Sequence, residues 1–363
     1  MVFPRLDFEK TSCKDADVEK GRLAEMFDRI EAEGWNLHSL FLARNGAKVF
    51  DAYAAGSGPG IPEEVYSCSK TFVAAALGLC QDQGLLKIDE PILPHFASAL
   101  RKPPLPGYEK VTIRHLLAMA VGTETEGIDP VLAGKVPPED SFFRLPLVHE
   151  PGTHFFYNNY ATFLLSRLVW KLTGEKLNDY LDSRLYQKIG MAKPRWREAL
   201  GNTVGPYGLQ LAAPDLARFG ILLQNEGFWR GEQVLSAAFV REMGKLQVPT
   251  PEAVALPDRN GYGLQVWINP AGGFRLAGMY KQYVIVDPKR SAVFVAQAYE
   301  TREVFDLYQD HVLPALEEGW KGDTVTLRDS IRRFELGSVS RRNAETAYRD
   351  AHPDGIPEFP FGF

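Results

Sequence analysis

The chain has 363 residues, 45% hydrophobic and 24% charged, enough apolar content to bury a full core as an ordinary globular protein. A formal net charge of -5 leaves no basic surplus to neutralise phosphates, which excludes nucleic acid and an anionic membrane surface as main partners. Three cysteines, Cys13, Cys68 and Cys80, form neither a disulfide framework nor a zinc motif. With no secretory leader and no apolar stretch long enough to span a bilayer, they make the cytoplasm the expected compartment.

In chain order, residues 16–34 read as an amphipathic helix ending at Gly34. Two strand-like runs follow around Asn45-Gly46, the pair best suited to a type I′ hairpin. Within residues 66–84, YSCSKTFVAAALGLCQDQG, the run from Lys70 to Gln83 is helical, and its apolar positions cover too much of the circumference for a surface element. Residues 86–260 are mostly helical with Pro and Gly punctuation, and 261–298 contain three or four strands separated by turns, followed by a helix. The expected fold is α+β, with both chain ends in one antiparallel sheet flanked by helices and a helical region inserted between them. The expected division is 16–85 and 261–320 as two parts of an α/β domain, 86–260 as the insertion and 321–363 as a tail docked on the body, with a lid or dimer contact as its sharper alternative.

The seven histidines are scattered, none four residues from another, so no metal site is expected. The chain has no G-x-S-x-G, no phosphate-binding loop and no dinucleotide fingerprint, and no cofactor is implied. What draws attention is a lysine opening an apolar helix, three residues after a serine. Ser67 and Lys70 share one face of the first turn. A buried lysine loses basicity through desolvation and the positive end of the helix, which suits it to take the proton of a serine nucleophile. The amide of Ser67 at that helix start can point at a developing oxyanion. A second element, EPGTHFFYNNYATFLL, places Tyr157 and Asn159 on a loop entering another buried helix that Gly174 caps.

These two elements, in this order, resemble the penicillin-recognising serine hydrolases, a superfamily of class C β-lactamases, D-Ala-D-Ala peptidases, family VIII carboxylesterases, D-aminopeptidases and 6-aminohexanoate-dimer hydrolases. Further matches are GLLKIDEPI, VTIRHLLAMAVG and AAPDLARFGILLQNEG, and the resemblance covers roughly residues 36–315. It implies a β-lactamase/transpeptidase-like fold, Ser67 as nucleophile, Lys70 as its base, Tyr157 as proton shuttle and Asn159 as a substrate contact. The family's third element, K-T-G or H-x-G on an edge strand, is replaced here by AGMYKQ, which looks like the G-x-x-G-Q form with Lys281 where glycine is usual. In that alignment the Met279 amide is the second oxyanion donor, and Tyr280, Lys281 and Gln282 lie at the substrate.

WKLTG at 170–174 mimics K-T-G but belongs to a helix end, and Cys68 has no histidine near it in sequence to make it a nucleophile. Arg114, Trp196, Tyr207 and Gln210 are left as candidates for lining the pocket. The expected activity is acyl-enzyme hydrolysis of a small ester or amide, on the carboxylesterase or 6-aminohexanoate-dimer hydrolase side. Alternatives are a β-lactamase or D-amino-acid peptidase, an acyltransferase, or a non-catalytic binding relative. Assembly into a homo-oligomer is compatible with this sequence.

Overall fold

The computed structural model describes residues 7–253, 255–322 and 326–337. Helix α1 (Lys20–Ala32) lies inside the segment whose periodicity indicates it, and its start is capped by the Glu19 carboxylate accepting from the Gly21 N–H. Strands β1 (Leu37–Arg44) and β2 (Ala47–Tyr53) are joined through Asn45 and Gly46, at φ 54° and 77°, the two positive angles a type I′ turn requires.

The apolar helix is α2 (Ser69–Asp82), entered through a 3₁₀ turn at Tyr66–Cys68, and every residue from Ser69 to Cys80 is buried. Helix α3 (Asn159–Thr173) starts at the Asn158 cap and stops at Gly174, φ 74°, so the K-T-G mimic is a helix end as expected. Helix α4 (Ala213–Gln224) is buried along its first eleven residues. Segment 86–260 also carries short helices and small two- and three-stranded ribbons, one of which pairs Leu209–Leu211 with Glu63–Glu64 and Arg195–Trp196.

Strands β3 (Trp267–Ile268), β4 (Phe274–Gly278), β5 (Gln282–Asp287) and β6 (Ala292–Ala298) form the expected meander. The main sheet has the order β3-β4-β5-β6-β1-β2 with every pair antiparallel, and β6 lies on β1 with Leu40 opposite Ala296. The two ends of the chain thus meet in one sheet. Alternation then sorts two cores: Leu40, Leu42, Phe294 and Ala296 pack with α1 and the helical segment 305–318. Phe41, Ala43, Val293 and Val295 pack on the opposite face with α2, α3 and α4. Because both faces are covered, all seven residues of β6 are buried.

Helix α5 (Leu327–Gly337) begins the expected tail and docks on α1, with the Phe334 ring 5.6 Å from Phe27 and Arg333 paired with Glu31 at 3.1 Å. The Phe-rich segment 356–363 lies outside the described residues. None of the described helices is long and apolar enough to cross a membrane.

Helix α4 sits close on the sheet because it presents Gly220 there. A Cβ at that position would fall 2.6 Å from Val293 and 2.8 Å from Val284. Gly220→Val forces the layers apart and is expected to cost about 1–3 kcal/mol by overpacking, read from the midpoint of urea denaturation.

Candidate active site

Ser67 lies in the turn that feeds α2, and Lys70 in the helix's first turn, so three residues of chain bring them together. The Lys70 Nζ donates to Ser67 Oγ at 2.9 Å and to the Pro206 carbonyl at 3.0 Å. With 1% of its surface exposed, the amine has lost its water, and burial lowers its pKa to about 7 against a smaller opposing pull from Glu126. Tyr157, in the loop before α3, hydrogen-bonds Ser67, and its ring face lies 4.7 Å from the Lys70 amine. Burial pushes the Tyr157 phenol well above its ordinary value, so the hydroxyl is neutral near pH 7. The structure therefore brings Ser67, Lys70 and Tyr157 into one cluster.

Two parts of this cluster were not read from the sequence. The carbonyl of Pro206 comes from a Gly-Pro-Tyr-Gly turn with Gly205 and Gly208 at φ 93° and 82°, held by the Trp196 indole N–H donating to Tyr207 O at 3.1 Å. Tyr207 in this turn was a candidate for lining the pocket; a backbone acceptor for a lysine was not legible. Glu126 is the second: its carboxylate accepts from the backbone N–H groups of Asn159 and Ile128, each at 3.0 Å, while burial raises its pKa. Nothing in TETEG distinguishes Glu126 from the exposed Glu124 two residues earlier.

A cavity of about 90 Å³ opens beside Ser67, small against the roughly 300–1,000 Å³ of drug-sized sites. Tyr157, Trp267, Met279, Tyr280, Lys281 and Asp258 are among its walls. Asp258 forms a buried ion pair with Arg275, which also donates to Asn269 Oδ1 at 3.1 Å. That pair had no signature in the sequence.

Only some of the expected contacts line this cavity. Met279, Tyr280 and Lys281 form the turn between β4 and β5 and do line the cavity. Gln282 does not: it is 2% exposed, and its side-chain amide donates to the Ala298 carbonyl on β6, which holds it in the interior. Asn159 is not in a loop but is the first residue of α3, and it does not line this cavity. Arg114 pairs with Asp89 and Glu242, at 2.5 and 2.7 Å, and neither it nor Trp196, Tyr207 or Gln210 is a cavity wall. Cys68 is buried, with its thiol pKa raised by desolvation and its Sγ donating to Gln282 O at 3.4 Å, a packing role.

The turn around Lys281 has a backbone conformation that favours glycine. Tyr280 and Lys281 adopt φ 58° and 68°, the left-handed region that an L side chain enters at a cost of about 1–2 kcal/mol. The Lys281 ammonium is tied to Glu303 at 2.7 Å, and Glu303 also accepts from the Tyr283 hydroxyl at 2.7 Å. Tyr280 is held by stacking on Tyr299, ring centroids 3.8 Å apart. Lys281→Ala loses the ion pair and keeps the strain, whereas Lys281→Gly loses the pair and relieves it. Lys281→Gly is expected to be the more stable of the two by about 1 kcal/mol in urea denaturation.

An antiparallel sheet with helices on both faces, and a Ser-Lys-Tyr cluster around a buried lysine, define a β-lactamase/transpeptidase-like fold. The chain belongs to the Beta-lactamase family, whose model matches residues 27–311, and so to the β-lactamase-like serine hydrolase superfamily. Among solved structures it is similar to a protein assigned as a 6-aminohexanoate-dimer hydrolase from Bacillus anthracis, with 21% identity, TM-score 0.69, and 87% of this chain and 90% of that one covered. EstCE1, a hydrolase with promiscuous acyltransferase activity, shares 16% identity and TM-score 0.62, covering 86% of this chain and 99% of its own. The acyltransferase CalJ of Penicillium decumbens is 27% identical over 178 residues, which span 40% of this chain and only 41% of that protein.

Proposed function

We propose that the protein is a serine hydrolase that cleaves a small ester or amide through an acyl-enzyme on Ser67. The observation that carries this reading is the buried Lys70 amine, 2.9 Å from Ser67 Oγ with its pKa lowered to about 7. A lysine of ordinary basicity is protonated at neutral pH and accepts nothing; this one is half neutral there.

In the first half-reaction neutral Lys70 takes the Ser67 proton as Oγ bonds the substrate carbonyl carbon. The oxyanion is met by the amides of Ser67 and Met279. Tyr157, neutral and bonded to Ser67, gives its proton to the leaving alcohol or amine and is reprotonated by Lys70. In the second half the same groups withdraw a proton from water, which attacks the acyl carbon and returns Ser67. The narrow, aromatic cavity favours a short acyl group. Lys281 is engaged with Glu303 and is not the free ammonium that a penicillin carboxylate would need, which favours esters and amides over β-lactams. Transfer of the acyl group to an amine or alcohol is a second reading, supported by the acyltransferase relatives.

Intact-mass analysis after fluorophosphonate treatment is expected to show one adduct on wild type and none on folded Ser67→Ala, with p-nitrophenyl butyrate cleaved by wild type alone and nitrocefin left intact. Turnover by Ser67→Ala at the wild-type rate would overturn the assignment. Lys70→Ala is expected to lose about 10²-fold or more in kcat.

The pH profile follows from the same amine. Because the base must be neutral, kcat/KM should rise with pH through about 7 and level off above it. Glu126 opposes the desolvation of Lys70 by stabilising its charged form. Glu126→Gln should therefore move this acid limb to lower pH, a shift that mere loosening of the loop would not produce.

A further inference from the structure

Away from Ser67, segments 119–126 and 148–159 run beside each other, joined by backbone hydrogen bonds. Phe156 N–H donates to Met119 O and Gly152 N–H to Ala120 O, both at 2.8 Å, while the Gly122 carbonyl receives Val148 N–H at 2.8 Å and His149 N–H at 3.0 Å. The approach at Gly122 is so close that a Cβ there would lie 2.4 Å from the His149 carbonyl oxygen. Beyond Gly122 the first segment also carries the Glu126 carboxylate that accepts from Asn159 N. The same two segments carry Glu124, His149 and His154.

Those three side chains converge. Glu124 Oε1 is 2.8 Å from His149 Nε2 and 3.8 Å from His154 Nε2, and the imidazole rings stack with centroids 3.9 Å apart. Their ligand atoms all lie within 4.8 Å of one another. A tetrahedral zinc ion with bonds of about 2.0–2.1 Å needs donors about 3.4 Å apart, a value the two observed distances bracket. The donors are two imidazoles and one carboxylate, a set that selects borderline transition metals over magnesium or calcium. All three side chains reach solvent, at 33%, 39% and 56% exposure for His149, His154 and Glu124, so an ion has an entry path and room for a water as fourth ligand. The catalytic scheme uses none of them.

We propose that Glu124, His149 and His154 form a binding site for a divalent transition metal, zinc being the representative ion, that clamps the two segments together. The five-residue spacing of the histidines is not helical, and the carboxylate lies 25 residues upstream, which is why spacing rules pass over it. The backbone bonds hold the two segments that carry the donors before metal arrives, and the imidazoles, stacked in the free protein, swing apart so that both Nε2 atoms face the ion. Occupancy ties segment 121–127 to 149–157 and stabilises the folded chain by mass action.

The test is isothermal titration of zinc into tag-free, chelator-treated full-length protein, with His154→Ala and Glu124→Gln alongside and circular dichroism to verify their folding. The expected result is one zinc per wild-type chain, affinity weakened at least about tenfold in each variant, and no displacement by excess magnesium. Zinc should raise the wild-type melting temperature and leave that of His154→Ala much less changed. Wild type that takes up no zinc at up to about 1 mM, or folded variants that bind it as tightly as wild type, overturns the proposal.

Discussion

The site depends on keeping one amine dry. Putting a lysine into an apolar interior costs several kcal/mol if it stays charged, so the group sheds its proton instead. Burial of α2 on every side supplies that pressure, and the run Ala74, Ala75 and Ala76 supplies the slimness that lets neighbours close around the helix. The remaining hydrogen-bonding capacity of Nζ is met by Ser67 Oγ and the Pro206 carbonyl, and the buried charge of Glu126 keeps desolvation from carrying the pKa lower still. Helix packing, a glycine-flanked turn and a distant carboxylate thus converge on a single proton equilibrium.

Around this amine the backbone is held in conformations that L residues avoid. Tyr66, Tyr280 and Lys281 have φ of 45°, 58° and 68°, and Tyr66 and Tyr280 meet edge to face at 5.4 Å. Such angles persist only where the surroundings over-determine them. Here Gly278 allows β4 to approach the Val65 carbonyl so closely that a Cβ would fall 2.4 Å from it. The Tyr280–Tyr299 stack and the Lys281–Glu303–Tyr283 chain secure the other side. The Lys281–Glu303 ion pair helps to hold a side chain at this left-handed position.

Much of this was legible in residue order. Periodicity located α1 and α2, Asn45-Gly46 set the hairpin, and the Ser67 to Lys70 spacing at the mouth of an apolar helix announced the amine. Tyr157 followed from family resemblance more than from its own surroundings. What stayed hidden depends on contacts between distant segments. Gln282 looks like a pocket residue until its side-chain amide is seen bonded to the Ala298 carbonyl, and Asn159 looks like a loop residue until Asn158 is seen to cap the helix. The Asp258–Arg275 pair and the Glu124–His149–His154 cluster join residues from separate stretches, where a pattern read along one segment has no purchase.

The pairing of β1 with β6 makes the main sheet a late product of synthesis. Leu37 lies opposite Ala298, so the sheet closes only after most of the chain has left the ribosome. Contacts so far apart in sequence slow folding, and a chain cut short of β6 lacks the strand that lies between β5 and β1.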